Sequence, residues 1–207
     1  MRREAWIVVL AVSIAAGATA DNLLVNPGFD TVDQLNGWTC DSTYGGATWS
    51  AEDRLGSPAS GSMQHDIAAP ADSQRVRCSQ CVPVTGQWFY SVDLWYLWPD
   101  DPDVDQVGTT RASFAFYSDP GCGTHLADGD VAVGFVTSLD TWLHLASDEV
   151  YAPAGTVSAK VFVFTWQNDA GDAVRARLDD IVLSSSTPIF GDGFESGDTG
   201  RWSTAVP

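Results

Sequence analysis

The sequence is short of positive charge, and this shortage limits the partners that it can have. Its 207 residues include ten Lys or Arg against 27 Asp or Glu, and Lys160 is the only lysine. Nucleic acid and anionic membrane surfaces attract basic proteins, so this balance argues against both. It favours solubility, cation binding and partners that are neutral or cationic.

The sequence also lacks the short motifs of common catalytic sites. It has no Gly-x-Ser-x-Gly, no His-Glu-x-x-His and no phosphate-binding loop. Histidine occurs only at His65, His125 and His144. Paired carboxylates that imitate a glycosidase dyad are expected by chance among so many acidic residues. We therefore predict that the chain is not an enzyme, and a polysaccharide lyase or hydrolase ranks last among its possible functions.

Helical periodicity is almost absent, and apolar residues instead recur at every second position. The apolar faces are Trp88, Tyr90, Val92, Leu94, Tyr96 and Trp98, then Phe114 and Phe116, then Val157, Ala159, Val161 and Val163, then Val174, Ala176 and Leu178. Shorter strands are predicted at Ser62–Ile67, Arg75–Val84 and Leu143–Tyr151. Many short strands separated by Gly, Pro and Asp turns predict an all-β fold, an antiparallel two-sheet β-sandwich or jelly roll.

The first twenty residues have the features of a signal peptide. Two arginines near the start are followed by the apolar run Trp6–Ala16 and by the small-residue pattern Ala18–Ala20. The run is too short to cross a membrane comfortably, and no later stretch is long and apolar enough. The paired arginines raise the twin-arginine route, but their context favours the general secretory route. We predict a secreted or periplasmic protein that starts near Asp21 with a net charge of −18.

One domain and a short tail are predicted after the signal peptide. The strand pattern stops near Leu183, and a chain of this length suits one well-buried core better than two, so the β-sandwich domain spans residues 21–183. Residues 184–207 begin with the linker sequence Ser184–Pro188. They continue into a tail that repeats the Gly-Phe-acid pattern of Gly28–Asp30. Such a tail cannot bury enough surface to fold alone.

Four cysteines, an even number in an exported protein, predict two disulfides. Cys78 and Cys81 have C-x-x-C spacing, but their flanks look like strand, and no second such pair completes a zinc site. Positions three apart in a strand point to opposite faces, so these two cysteines should reach different partners. Of three possible pairings this favours Cys40–Cys78 and Cys81–Cys122, each worth about 3–4 kcal/mol in the chain-entropy model.

Three motifs in order along the chain carry a family resemblance. They are Asn22–Asp30 with Gly37-Trp38, then Gly86 with Tyr90–Trp95, then Ala154–Thr156 with Val161–Phe164 and Leu178–Leu183. Together they resemble the CenC-type carbohydrate-binding modules, which are galactose-binding-like jelly rolls. The resemblance implies a sandwich with one curved sheet and a glycan stacked on aromatic side chains of that sheet or at a loop edge. The tail, Phe190–Ser203, resembles a short C-terminal element of many exported bacterial proteins.

The resemblance also implies a structural calcium ion where the first and last strands meet. Its expected ligands are Asn26, Asp30 and Asp180, and backbone carbonyls would complete a shell of about six to eight oxygens. The alternative for Asn26–Gly28 is an ordinary turn. A second acidic stretch, Asp100–Asp105, resembles the start of an EF-hand loop but lacks its glycine and final glutamate, so a solvated charge run is the better interpretation.

Several strands carry aromatic residues on the face opposite to the predicted core. Sugar rings stack on such flat groups, and planar polar groups bind their hydroxyls. The predicted ligand set, placed on one sheet face, is Trp95, Trp166, Tyr117, Asp93, Arg175 and Arg177. Trp95 and Trp166 are predicted to be the main platforms of a monomer that binds a neutral polysaccharide or oligosaccharide. The alternative is that the aromatics pack under a loop and the arginines pair with the abundant carboxylates.

These features favour a non-catalytic glycan-binding module. The runner-up is a structural or adhesion-type extracellular β-sandwich that binds another protein. A concave face with exposed aromatic residues would favour the first function, whereas a flat, covered or purely acidic face would favour the second. A cleft with a perturbed carboxylate or histidine would favour the lyase or hydrolase.

Overall fold

The chain folds into two layers of β-strand. The computed structural model describes residues 22–42, 45–68, 74–104, 107–168 and 173–187, and these ranges contain eleven strands and no helix. The strands are β1 Thr39–Ser42, β2 Gly45–Ser50, β3 Ser62–Ile67, β4 Arg75–Pro83, β5 Phe89–Leu97, β6 Gly108–Tyr117, β7 His125–Phe135, β8 Leu143–Ala146, β9 Val150–Tyr151, β10 Ser158–Gln167 and β11 Val174–Ser186. The predicted signal peptide and the tail from residue 188 onwards lie outside the described residues.

The strands form two antiparallel sheets. The five-stranded sheet has the order β1-β4-β10-β6-β7. The six-stranded sheet has the order β2-β3-β11-β5-β8, and β9 also pairs with β5. The predicted all-β sandwich is therefore confirmed.

The core lies between the sheets and is built from the predicted apolar faces. Alternation buries Val92 and Leu94 of β5 and Val161 and Val163 of β10 in one core cluster, and none of the four is exposed. Burying an aliphatic side chain of this kind contributes about 1.5–3 kcal/mol. A one-residue slip of either strand would expose a whole row of these groups, so burial determines the register.

The side chains between the core residues point outward and form two surfaces. The five-stranded face carries the outward side chains of β4, β6, β7 and β10, among them Arg75, Arg77, Arg111, Tyr117, Val131, Lys160, Phe162, Phe164 and Trp166. The six-stranded face carries those of β3, β5 and β11, among them Asp66, Asp93, Trp95, Arg175 and Arg177. These two surfaces lie on opposite sides of the molecule.

Both predicted disulfides are present. Cys40 of β1 lies opposite Cys78 of β4 and is bonded to it, and Cys81 is bonded to Cys122. Cys78 is fully buried whereas Cys81 is exposed, because positions three apart in a strand point to opposite faces. All four cysteines are thereby paired.

Two predicted boundaries are wrong. Residues Ser184–Ser186, predicted as linker, continue β11 and pair with residues 89–91 of β5. Backbone hydrogen bonds need no apolar side chain, so the strand runs past its last core residue, Leu183. The single strand predicted at Leu143–Tyr151 is divided into β8 and β9, since residues 147–149 leave the ladder.

The strand β7 has no counterpart in the sequence prediction, although it is the longest strand of its sheet. Small residues fill its inward positions, because large rings approach them closely. A Cβ atom on Gly129 would lie 2.3 Å from the Phe114 ring, and one on Gly134 would lie 2.6 Å from the Tyr96 ring. The inward positions of β7 therefore lack the large apolar residues whose alternation predicts a strand. The short strands β1 and β2 are also unpredicted; β1 is exposed, and most residues of β2 are half-buried.

Candidate functional site

A row of aromatic rings runs along β10 on the five-stranded face. Phe162, Phe164 and Trp166 alternate with buried residues such as Val161 and Val163, so they point away from the core. The two phenylalanine rings are stacked, with centroids 6.1 Å apart and planes inclined by 12°. All three side chains are half-buried, so β10 offers accessible aromatic surface at the centre of its sheet.

Two arginines flank the indole of Trp166. The guanidinium carbons of Arg75 and Arg111 lie 5.8 and 5.4 Å from the ring centroid. The two come from the strands on either side, since Arg75 lies opposite Trp166 on β4 and Arg111 lies opposite Phe164 on β6. A cation within about 6 Å of an indole is attracted by the ring quadrupole. The indole is therefore held between positive charges.

Two further cations accompany Phe162. Arg77 and Lys160 each place their charged group 5.6 Å from its ring centroid. Arg77 also pairs with Asp41 on the edge strand β1, at 2.5 Å. Lys160 forms no ion pair with any described residue. The middle of the five-stranded face thus carries positive charge, although the chain as a whole is acidic.

A groove of about 160 Å³ opens on this face beside the aromatic row. It is lined by Arg111, Ser113, Val131, Phe164 and Trp166. The Nε atom of Arg111 is buried and has no hydrogen-bond partner among the described residues. The groove combines an aromatic wall with a charged donor, and the outward side chains of β7 continue it as an apolar rim, with Val131 52% exposed.

The predicted ligand set is divided between the two faces. Trp166 and Tyr117 lie on the five-stranded face, but at opposite ends, because Tyr117 pairs with Ser158, eight residues and about 26 Å from Trp166 along β10. The other four, Asp93, Trp95, Arg175 and Arg177, lie on the six-stranded face. The prediction that all six share one face is therefore wrong. Alternation shows which residues point away from the core, but not which sheet a strand joins.

The residues of the six-stranded face form ring contacts and ion pairs with neighbouring residues. The Trp95 ring lies 4.6 Å from the Arg54 guanidinium and 5.0 Å from the His144 ring, and His144 lies 3.2 Å from Asp93. Arg175 pairs with Asp66 at 2.6 Å and also with Asp101 of the acidic loop, and Arg177 pairs with Glu52 at 2.5 Å. The arginines of this face are neutralised by carboxylates, as the alternative interpretation predicts.

The N-terminal segment meets the last strand at a bulge in β11. The Ile181 N–H donates to the Pro27 carbonyl at 3.1 Å, and Asp180 adopts a left-handed φ of 47°. Asp180 pairs with Arg54 at 2.6 Å. Burial, together with the nearby charges of Asp180 and Asp53, raises the pKa of Asp179 to about 7, although the N–H groups of Arg54 and Asp180 donate to its carboxylate.

The calcium ligands expected from the resemblance are only partly assembled at this bulge. The Asn26 Oδ1 accepts the Asp30 N–H at 2.9 Å, and its amide donates to the Gln34 carbonyl, so this side chain is engaged in an ordinary turn. Asp180 faces the junction, where Arg54 already supplies a positive charge. The described ranges contain no group of three or more His, Cys, Asp or Glu that could hold a metal ion. A calcium ion here would need backbone carbonyls for most of its shell.

Neither the models of known protein families nor the curated protein sequences match this chain. Solved structures do match it. The carbohydrate-binding module TmCBM61, solved in complex with β-1,4-galactotriose, is 16% identical with a TM-score of 0.53 over 81% of this chain and 100% of the module. The enzymatically active domain of tailspike protein 4 from bacteriophage CBA120 is 14% identical with a TM-score of 0.58 over 80% of this chain and 21% of that one. The α-L-arabinofuranosidase MgGH51 is 19% identical with a TM-score of 0.56 over 82% and 27%.

This chain has the β-sandwich fold of carbohydrate-binding modules. It corresponds to the whole of TmCBM61, but to only 21% of the tailspike domain and 27% of the arabinofuranosidase. Identities of this size establish the fold alone. A fold does not determine a function, which depends on the residues at the site.

The cations of the five-stranded face are residues of the candidate site that the sequence does not predict. Arg75, Arg77, Arg111 and Lys160 all lie at outward positions of strands whose alternation was recognised. Their outward direction was therefore predictable. Their convergence was not, because it depends on β4 and β6 lying on either side of β10.

Proposed function

We propose that this chain is an exported, non-catalytic protein that binds a glycan on the five-stranded face. The observation that carries the proposal is the accessible row Phe162, Phe164 and Trp166, which lies beside a groove in a fold shared with carbohydrate-binding modules. The galactotriose bound by TmCBM61 and the CenC-type motifs support an oligosaccharide ligand. The two disulfides support a site of action outside the cytoplasm. The net charge of −18 by itself supports a neutral glycan.

Trp166 is the platform that this proposal uses, and Trp95 is its natural counterpart on the opposite face. Trp166 lines the groove, whereas the Trp95 ring packs against Arg54 and His144. Arg54 is also bound to Asp180 and His144 to Asp93, so these neighbours of Trp95 are held in place, whereas Trp166 borders an open groove. We therefore expect Trp166→Ala to abolish binding and Trp95→Ala to leave it intact.

Affinity electrophoresis of the two variants tests the proposal. Gels would contain galactan, xylan, mannan, β-glucan or a uronate polymer, and melting temperatures would show whether each variant is folded. Loss of retardation in folded Trp166→Ala, with retardation kept in Trp95→Ala, supports the five-stranded face. The reverse result would move the site to the six-stranded face. No retardation of the wild type in any gel would contradict glycan binding.

We also propose one structural calcium ion at the bulge of β11, held by Asp180, Asn26 or Asp30 together with backbone carbonyls. A ligand that binds only the folded state stabilises it by about 2.7 kcal/mol at one hundred times its Kd. The melting temperature should rise with calcium and fall with chelator. Arg54→Gln should increase the rise in melting temperature that calcium produces, because it removes a cation that competes for Asp180. If calcium and chelator leave the melting temperatures of both the wild type and Arg54→Gln unchanged, the site does not exist.

A second candidate function is protein binding by the edge strand β7. Its outward residues Val131 and Phe135 are 52% and 58% exposed, and β7 pairs only with β6 among the described strands. An exposed apolar edge of this kind can pair with another chain. The proposed glycan-binding protein is a monomer, and sedimentation would detect association. If the wild type stays a monomer at high concentration, and Phe135→Ser does not alter its sedimentation, the second function loses its support.

A further inference from the structure

We propose that the ligand of the five-stranded face is an acidic glycan, with a uronate carboxylate that pairs with Arg111 beside Trp166. This inference rests on the proposed glycan-binding function and names the class of glycan. The net negative charge of the chain favours a neutral glycan, and this inference reverses that expectation.

The cations of the described chain are distributed unevenly. Seven Lys or Arg occur in the described ranges, and four of them, Arg75, Arg77, Arg111 and Lys160, lie on the five-stranded face. The other three, Arg54, Arg175 and Arg177, form ion pairs with Asp180, with Asp66 and Asp101, and with Glu52. Of the four cations on the five-stranded face, Arg111 and Lys160 form no ion pair with any described residue, so their charges are available to a ligand.

The carboxylates of the five-stranded sheet lie on its edge strands. Asp41 of β1 pairs with Arg77. On β7, Asp128 bonds to His125 at 2.9 Å, and Asp130 accepts the Asp148 N–H at 2.8 Å. The three inner strands, β4, β10 and β6, contain no Asp or Glu. A ligand lying across these strands would meet positive charge at its centre.

Arg111 is the cation best placed to bind a carboxylate. It lies on an inner strand and lines the groove, and it forms no hydrogen bond or ion pair with any described residue. A buried donor without a partner is unfavourable, so a ligand acceptor would be favoured here. Arginine presents several N–H donors in one plane, and this geometry matches the two oxygens of a carboxylate.

The neighbouring indole explains why the carboxylate should belong to a sugar. A uronate has an apolar C–H face and a carboxylate at the edge of the same ring. The groove offers the corresponding pair, since the Arg111 guanidinium lies 5.4 Å from the Trp166 centroid. A neutral sugar would use the aromatic wall but leave the guanidinium without an acceptor.

The total charge of the chain does not oppose this assignment at physiological salt. The carboxylates that make the chain acidic include those of the six-stranded face, on the far side of the sandwich. Screening by salt acts over about 8 Å, and stacked sheets are about 10 Å apart, so a ligand responds mainly to nearby charges. The local charge of the five-stranded face is the relevant quantity.

The test compares acidic polysaccharides with neutral forms of the same chains. Polygalacturonate, alginate and hyaluronan, each intact and carboxyl-reduced, would be titrated into the full exported chain by calorimetry at physiological ionic strength. The variants are Arg111→Gln and, as the control, Arg177→Gln, which removes the same charge from the opposite face. Melting temperatures confirm that both variants fold. Polyglutamate serves as an acidic polymer without sugar.

We expect an intact uronate polymer to bind at least tenfold more tightly than its reduced form. Arg111→Gln should weaken that binding about ten- to hundredfold, as expected for a hydrogen bond to a charged group, while Arg177→Gln changes it less than threefold. Equal affinity for intact and reduced chains, or an effect of Arg177→Gln equal to that of Arg111→Gln, would overturn the acidic assignment and leave glycan binding intact. Equal affinity for polyglutamate would overturn the sugar specificity. Binding to no polysaccharide at all would overturn this inference and the proposed function together.

Discussion

The buried histidine of β3 makes the stability of this protein depend on pH. His65 has no exposed surface, and its Nδ1 lies 3.0 Å from Thr165 Oγ1 and its Nε2 3.1 Å from Met63 Sδ. Burial lowers the pKa of His65 from 6.5 to about 3, against a smaller opposing effect of Asp66. The folded protein therefore keeps this imidazole neutral under conditions in which the unfolded chain protonates it.

The sign and size of the effect follow from this difference in pKa. The unfolded state binds the extra proton below pH 6.5, so the stability contributed by neutral His65 is complete above that pH. It is lost progressively as the pH falls from 6.5 towards 3. Each pH unit in this window costs about 1.4 kcal/mol, so pH 5 should cost roughly 2 kcal/mol relative to pH 7.5.

Replacement by glutamine isolates the effect. His65→Gln does not titrate, and its amide can still bond to Thr165, so it should cost about 1–2 kcal/mol at pH 7.5 through imperfect packing. The measurement is urea unfolding of both proteins at pH 7.5, 6.0 and 5.0, with the disulfides intact. Between pH 7.5 and pH 5 the wild type should lose roughly 2 kcal/mol more unfolding free energy than His65→Gln does. The advantage of the wild type at pH 7.5 should therefore shrink or be reversed at pH 5.

The comparison between two proteins removes the contribution of other groups. Asp179, whose pKa is raised to about 7, contributes with the opposite sign: its stabilisation is present below its unfolded pKa and is lost as the pH rises through 7. This term is common to the wild type and to His65→Gln, so it cancels in the difference. A difference that stays constant from pH 7.5 to pH 5 would refute the burial of a neutral histidine.

Two further predictions concern the packing and the covalent links of the sandwich. Gly134→Ala should lower the melting temperature markedly, because its Cβ would lie 2.6 Å from an aromatic ring, whereas Gly46→Ala, whose Cβ meets no heavy atom within 4 Å, should change it little. Equal melting temperatures would contradict the close packing of β7. Replacing Cys81 and Cys122 together by serine opens a link with a sequence separation of 41 and should cost about 3–4 kcal/mol in urea unfolding. An unchanged unfolding free energy would show that this disulfide does not restrain the chain.

Much of the fold could be predicted because it depends on local alternation. The core faces of β5 and β10, the bounds of β3 and both disulfides all follow from the period of two residues in a strand. That period decides which side of its own strand a residue occupies, whatever the neighbours are. It also decides that Cys78 and Cys81 point in opposite directions. The strand β7 was missed because Gly129 and Gly134 leave its inward positions to rings from other strands.

The candidate site depends on the tertiary structure. Alternation along each strand predicts that Trp95 and Trp166 both point outward, but the order of the strands in each sheet places them on opposite faces. The same order brought Arg75 and Arg111, distant from Trp166 along the chain, to either side of its ring. Side-chain direction is a property of one strand, whereas the chemistry of a sheet face requires three neighbouring strands, and their pairing is determined by burial across the whole core.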